Sequence, residues 1–291
     1  KELWNERRQL VENHLAQELN EDSALDPMLC ESMKYSLMAG GKRLRPVLLM
    51  AAADAVGATG TRYLEPACAI EMIHTYSLIH DDLPAMDDDD YRRGKLTNHK
   101  VYGAGMATLA GDALLTLAFE VMLRQHDASP EDILSVVREM SLAAGPDGMV
   151  GGQALDLESE DKQISMSTLR RMHMGKTGAL FRAAIRSGAI LGGASQEEVK
   201  TVERIASLVG LAFQVQDDIL DVISTQEELG KPIHSDEKNE KTTYVTLLGI
   251  DDAKKVVEEK SEEAISLLQT LPNENPYLEE LLMEIQSNGI R

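Results

Sequence analysis

Two aspartate clusters, Asp81-Asp82-Leu83-Pro84-Ala85-Met86-Asp87-Asp88 and Asp217-Asp218-Ile219-Leu220-Asp221, each close an apolar, helix-patterned run. Carboxylates this dense beside apolar residues repel one another and are costly to desolvate, so they call for a cationic partner. A hard divalent metal with oxygen ligands is the simplest one, and two clusters suggest two metal-lined walls of one cavity. Magnesium keeps several waters and bridges a few carboxylates to substrate phosphates, so the implied ligand is a phosphorylated small molecule. An EF-hand is excluded, because the D-x-[DN]-x-[DN]-G register is missing.

The two clusters differ in register. Counting back from Asp221, residues Asp218, Asp217 and Gln214 fall at i−3, i−4 and i−7, so on a helix all four share an arc of about 100°. In the first cluster Asp87 lies six residues after Asp81, which an uninterrupted helix would place about 120° away. Pro84 resolves this: it disfavours helix in the preceding residue, so the helix ends or kinks there and the chain turns Asp87 or Asp88 back toward the metal.

Cations flank the acids. Gly40-Gly41-Lys42-Arg43-Leu44-Arg45-Pro46 sets three of them at a turn between helices, where glycine lets backbone amides approach an anion and arginine pairs bidentately with phosphate. It reads as a diphosphate clamp and is not a P-loop, since GxxxxGK[ST] is absent. Arg92-Arg93-Gly94-Lys95 follows the first acids directly, placed to share one metal-diphosphate. His74 precedes Asp81 by seven residues, about 20° away on the wheel, and lines the same face. Lys176 sits between Gly175 and Gly178 at an expected kink, and Lys231 and Lys241 follow the second cluster.

Apolar periodicity supplies the elements that hold these groups. Leu3, Leu10, Val11, Leu15 and Leu19 trace one stripe; Asp26-Pro27 reads as an N-cap and first helical position, with Gly40-Gly41 as the stop. A third helix is predicted from Pro46 and a fourth from about Pro66 into the first acids. Further helical runs lie near 107–124, 131–144, 168–191, 196–222 and 251–270. Aromatics make up only 4% and β-branched alternation is scarce, which favours an all-α chain. The expected architecture is one bundle over residues 1–291, a single domain enclosing a central cavity.

Composition narrows the setting. A net charge of −20 argues against nucleic acid and anionic membrane surfaces. No apolar run reaches the length of a membrane span and no signal peptide is visible, so no membrane partner is expected. Cys30 and Cys68 form neither a disulfide framework nor a metal spacing, which predicts a reducing cytoplasmic location.

The motifs GGKRLRP, IHTYSLIHDDLPAMDDDDYRRG, GDALL, GGQALDL, GKTGAL and FQVQDDILD, in this order, resemble those of trans-isoprenyl diphosphate synthases, specifically the bacterial short-chain farnesyl type. The resemblance runs from about residue 30 to 245. It implies an isoprenoid synthase-like bundle, a homodimer, and head-to-tail condensation of isopentenyl diphosphate with dimethylallyl and then geranyl diphosphate. It also implies that Asp81, Asp82 and Asp87 hold two Mg2+ ions and that Asp217, with Asp218 and Asp221 beside it, holds a third. Lys42, Arg45, His74 and Arg93 would bind isopentenyl diphosphate, with Gly41 contributing backbone. Arg92, Lys176, Lys231 and Lys241 would grip the allylic diphosphate, while Thr177 and Gln214 face the nascent cation. Tyr76, five residues before Asp81, would block the growing tail and set chain length; on the helical wheel Ser77 points closer to Asp81. Glu240 stands where many relatives have glycine, and the tail from Ile285 to Arg291 is less basic than theirs.

Three other readings compete. A geranylgeranyl-forming synthase shares every motif. A class I terpene cyclase would carry an N-D-x-x-S-x-x-x-E second motif in place of the second DDxxD, and a non-catalytic synthase subunit would have eroded aspartates where these are intact.

Overall fold

The structure is a computed structural model, and it describes residues 2–229 and 241–287. It is all-α, about three quarters helical; the strands among the described residues are one two-residue antiparallel pair, Tyr91–Arg92 with Lys95–Leu96. The chain divides into two compact units, residues 1–50 with 59–137, and residues 51–58 with 138–291.

The first unit holds α1 (Glu2–Glu18), α2 (Pro27–Leu37), the start of α3 (Leu44–Ala55), α4 (Leu64–Asp81), the strand pair β1–β2, α5 (Asn98–Tyr102), α6 (Ala104–Met122) and the start of α7 (Pro130–Ala144). Helix α2 begins as its sequence requires: the extended Asp26 accepts the Leu29 amide at 3.0 Å, and Pro27 opens the first turn. The stripe on α1 is narrower than expected, since Val11, Leu15 and Leu19 are buried while Leu3 and Leu10 are 44% and 41% exposed. The wheel explains the difference, because Leu3 and Leu10 lie about 80–140° round from Val11 and Leu15. Helices α3 and α4 start two residues earlier than predicted, at Leu44 and Leu64.

The site's first acids stand at the end of α4, whose Ala67, Cys68, Ala69, Ile70, Met72 and Ile73 are fully buried. Helix α6 packs along it through Ala107, Ala110, Gly111, Leu114, Ala118 and Val121. By length and composition α6 meets the requirement for a membrane span, with mean hydropathy 1.3 over its 18-residue window, which corrects the expectation that no run would. Its small residues lower the side-chain volume at the α4 contact, while Thr108, Asp112, Thr116 and Glu120, every fourth residue, form one polar stripe.

The second unit holds α8 (Met149–Glu158), α9 (Met166–His173), α10 (Ala179–Leu191), α11 (Gln196–Leu229), α12 (Tyr244–Leu248), α13 (Ile250–Leu268) and α14 (Pro276–Ser287). The run predicted over 168–191 is two helices joined by a π turn, Met174–Gly178, so the expected kink at Lys176 is one wide turn of backbone. Helix α11 continues to Leu229 and packs on α10 and α13; Phe181 meets Phe213 at 5.1 Å, and Arg204 pairs with Glu263 at 2.8 Å. Helix α14 was not foreseen. Asn275 caps it by accepting the Leu278 amide at 3.0 Å, and Leu278, Leu281, Leu282 and Ile285 are buried, so Ile285 belongs to the core and not to a tail.

Candidate active site

In the first unit α4 stops at the acids. Asp81 is its last residue, Asp82 its C-cap, and the segment across Pro84 folds back so that the Asp87 amide donates to the Asp81 carbonyl at 2.9 Å. The break expected at Pro84 thus returns Asp87 to Asp81. Asp88 adopts a left-handed φ of 52° and donates its amide to Leu83 at 3.1 Å. Asp87 and Asp88 are exposed and Asp81 is half-buried, whereas Asp82 is buried with both oxygens held by Arg92, each at 2.8 Å. That bidentate pair fixes the arginine beside the acids.

The basic turn joins the same place. Arg93 donates to the Gly40 carbonyl at 2.8 Å, and its guanidinium lies against Gly41, where a Cβ would come within 2.7 Å of Nη1. Gly41 also has φ 115°, so both space and backbone require glycine there. Lys42 is exposed and its carbonyl accepts from the Trp4 indole at 3.2 Å; Arg45 is half-buried. Arg43 departs from the three-cation clamp. It turns inward, 2% exposed, pairing with Glu12 at 2.8 Å, Glu71 at 3.0 Å and the Leu37 carbonyl at 2.7 Å. Two buried or half-buried carboxylates make that interior position favourable for a guanidinium, so of the turn's three cations Lys42 is the exposed one.

His74 is half-buried amid this cluster. Burial, then the charges of Arg45, Arg93, Arg92 and Arg43, hold its pKa well below the ordinary value, so at neutral pH it is an uncharged imidazole beside cations. Tyr76 is buried with its ring edge-on to His80 at 5.3 Å, and burial followed by Asp81 and Asp112 raises its phenol pKa. Ser77 is half-buried and donates to the His74 carbonyl at 2.6 Å.

In the second unit, α11 presents Gln214, Asp217, Asp218 and Asp221 at the expected spacing. They are not equivalent. Asp221 is exposed and Asp217 half-buried, but Asp218 is buried; it accepts the Tyr244 amide at 2.9 Å and lies 3.5 Å from Gln214 Nε2. Burial, then Asp217 and Asp221, push its carboxyl up to about 7. Lys176, on the π turn, donates to Asp156 at 2.5 Å. Thr177 beside it is half-buried. Gln214 also lines a cavity of about 350 Å³ with His173, Gly178 and Tyr244. Lys241 is described and exposed; Lys231 lies outside the described residues.

Three partners here were given no role from sequence, although GGQALDL contains two of them: Asp156 on Lys176, Tyr244 on Asp218, and Gly152, whose Cβ would fall 2.2 Å from the Lys176 amide nitrogen. Gly148, Gly152 and Asp156 recur every fourth residue, one face of α8 laid on the π turn. That spacing was the available signal.

Both acidic groups offer carboxylate oxygens at graded exposure, the donor chemistry that suits Mg2+. The acids and cations of the first unit can share a metal-bound diphosphate, and the lysine and acids of the second can do the same.

Comparison with known proteins locates this chemistry. The polyprenyl synthetase family model matches residues 26–282. A dimethylallyltranstransferase from Fischerella ambigua is 51% identical over 264 residues, covering 89% of this chain and 76% of that protein. A farnesyl diphosphate synthase from Geobacillus stearothermophilus is 47% identical, covering 87% and 86%. The crystal structure of geranylgeranyl pyrophosphate synthetase from Pyrococcus horikoshii superposes with a TM-score of 0.89 at 32% identity, over 98% and 97% of the two chains.

Proposed function

The chain belongs to the polyprenyl synthetase family, and on that footing we propose that it condenses isopentenyl diphosphate head-to-tail with dimethylallyl and then geranyl diphosphate, giving farnesyl diphosphate. The observation that carries this reading is the first aspartate cluster, where Arg92 holds both oxygens of Asp82 and the Asp87 amide returns to Asp81. Residues 26–282 match as one family unit, which supports treating residues 1–291 as one catalytic domain.

Asp81, Asp82 and Asp87 would hold two Mg2+ ions, Asp87 being favoured over Asp88 because its amide is tied to Asp81. Asp217, Asp218 and Asp221 would hold a third. When bound, these ions neutralise the departing diphosphate and so ease ionisation of the allylic carbon–oxygen bond. The chain's own residues do the rest. Arg92, Lys176, Lys231 and Lys241 orient the allylic diphosphate; Gly41, Lys42, Arg45, His74 and Arg93 orient isopentenyl diphosphate. A neutral His74 can donate one hydrogen bond to an anion without adding charge to a cluster already rich in arginine. Thr177 and Gln214 place oxygen dipoles near the developing cation, and apolar walls keep water from trapping it.

The reading extends to assembly and location. On helix α6 Leu109 is 55% exposed, and Leu123 and Leu134, beyond it, are 60% and 65% exposed. A second copy covering these side chains would make the homodimer. Free, buried Cys30 and Cys68 favour a reducing cytoplasm, and the −20 charge favours neither nucleic acid nor an anionic membrane as partner.

A geranylgeranyl-forming enzyme is the second reading, supported by the Pyrococcus horikoshii likeness. The test of metal-assisted transfer is the loss of kcat in Asp81→Ala and Asp217→Ala, expected at roughly a thousandfold or more. Activity that persists in EDTA, or an Asp81→Ala enzyme within about tenfold of the parent, contradicts it.

A further inference from the structure

At the far end of α4 from the aspartates, three side chains converge that the condensation does not use. His14 and Glu18 stand one turn apart on α1, and Glu65 lies in the first turn of α4. His14 Nε2 is 3.1 Å from Glu18 Oε1 and 3.1 Å from Glu65 Oε1, and the ligand atoms of all three lie within 4.8 Å of one another. We propose that His14, Glu18 and Glu65 form a binding site for one zinc-like divalent ion that fastens α1 to α4.

Four observations support it. First, Nε2 of His14 is a fully buried atom that makes no aligned hydrogen bond among the described residues, although two carboxylate oxygens flank it. The nitrogen is directed between the acids, where an ion would sit. Second, the spacing fits: a tetrahedral zinc with bonds of about 2.0–2.2 Å sets its ligands about 3.4 Å apart, and His14 Nε2 stands 3.1 Å from each carboxylate oxygen. Third, one imidazole and two carboxylates suit zinc, whereas Mg2+ favours all-oxygen octahedra. Fourth, an outer partner is in place. Arg124 holds the other oxygen of Glu18 and is balanced by Glu120 at 2.9 Å, which leaves Oε1 of Glu18 facing inward. His14 and Glu65 are 22% and 23% exposed against 7% for Glu18, so water can reach a fourth position from their side. Sixteen residues of α4, roughly 24 Å, separate Glu65 from Asp81, so the role is structural.

The alternative, a protonated His14 clamping two carboxylates with no ion, gives the opposite result in one experiment. The full chain is saturated with millimolar magnesium to fill the aspartate clusters, then titrated with zinc sulfate or cobalt(II) chloride. Native mass spectrometry, thermal unfolding and visible absorption read the result. The expected outcome is one zinc retained per chain, a raised Tm, and the intense visible bands of tetrahedral cobalt. His14→Ala and the near-isosteric Glu65→Gln lose all three, Arg124→Gln binds roughly tenfold more weakly, and prenyl transfer in each is unchanged. A parent chain that retains no zinc overturns the site, as does equal retention in folded His14→Ala and Glu65→Gln.

Discussion

The buried carboxylate of Asp218 accepts the backbone amide of Tyr244 at 2.9 Å, so the second acidic motif on α11 is tied to the first residue of α12. The same carboxylate is pushed up to about 7 by burial and by Asp217 and Asp221. If Asp218 holds a metal as proposed, its protonation reports on metal binding as well as folding.

A pH dependence follows. The unfolded carboxyl ionises near 3.8, while the folded one keeps its proton to about 7, so this group's contribution to stability falls as pH rises across that window. A cation reverses the sign, because binding to the ionised form releases the proton. Magnesium should therefore raise Tm more at pH 8 than at pH 6, and Asp218→Asn should flatten that difference. Equal magnesium effects at the two pH values in the parent would place Asp218 outside the metal site.

Asp156 is expected to act through Lys176. If Lys176 grips the allylic diphosphate, Asp156→Asn loosens its pose and raises KM for the allylic substrate roughly tenfold, the scale of one hydrogen bond to a charged group. The KM for isopentenyl diphosphate should move far less. Equal effects on both substrates would contradict the division between the two sites.

His74 should titrate well below an ordinary histidine in the free protein, as burial and four arginines require. A bound diphosphate adds negative charge beside it and should raise that pKa. Nitrogen-15 NMR of the imidazole, followed from pH 8 to 4 with and without isopentenyl diphosphate, checks the sign. An imidazole whose pKa ignores the diphosphate is not part of that subsite.

Tyr76 is expected to limit chain length. Tyr76→Ser should shift product from fifteen carbons toward twenty with turnover largely kept, while Tyr76→Phe, which preserves the ring against His80, should not. A folded, active Tyr76→Ser enzyme that still stops at fifteen assigns the length limit to another residue.

Much of this was legible in the chain because the signals were local. Asp26-Pro27 announced α2, the i−3, i−4, i−7 spacing set the acids on one face of α11, and Pro84 broke α4 where the acids needed it. What escaped depends on tertiary partners or on short elements. The inward turn of Arg43 depends on Glu12 and Glu71, 31 and 28 residues away in sequence. The two-residue strands β1 and β2 and the five-residue helices α5 and α12 are too short to show a period. Helix α14 did carry a readable signal in Asn275-Pro276 and the spacing of Leu278, Leu281, Leu282 and Ile285, but the helical runs read from the sequence end with 251–270. At Lys176 the glycines marked a break in the helix, but the π turn packs against Gly152 of α8, a tertiary neighbour that the spacing around Lys176 does not reveal.

The central claim is condensation to a fifteen-carbon product, and one incubation tests it most directly. Isotopically labelled isopentenyl diphosphate is supplied with magnesium and, in separate reactions, dimethylallyl, geranyl or farnesyl diphosphate, and the products are separated by chain length. The account requires label in farnesyl diphosphate from the first two starters and little extension of the third. Efficient conversion of farnesyl diphosphate to a twenty-carbon diphosphate would contradict the farnesyl assignment, and a hydrocarbon formed without consuming isopentenyl diphosphate would contradict prenyl transfer itself.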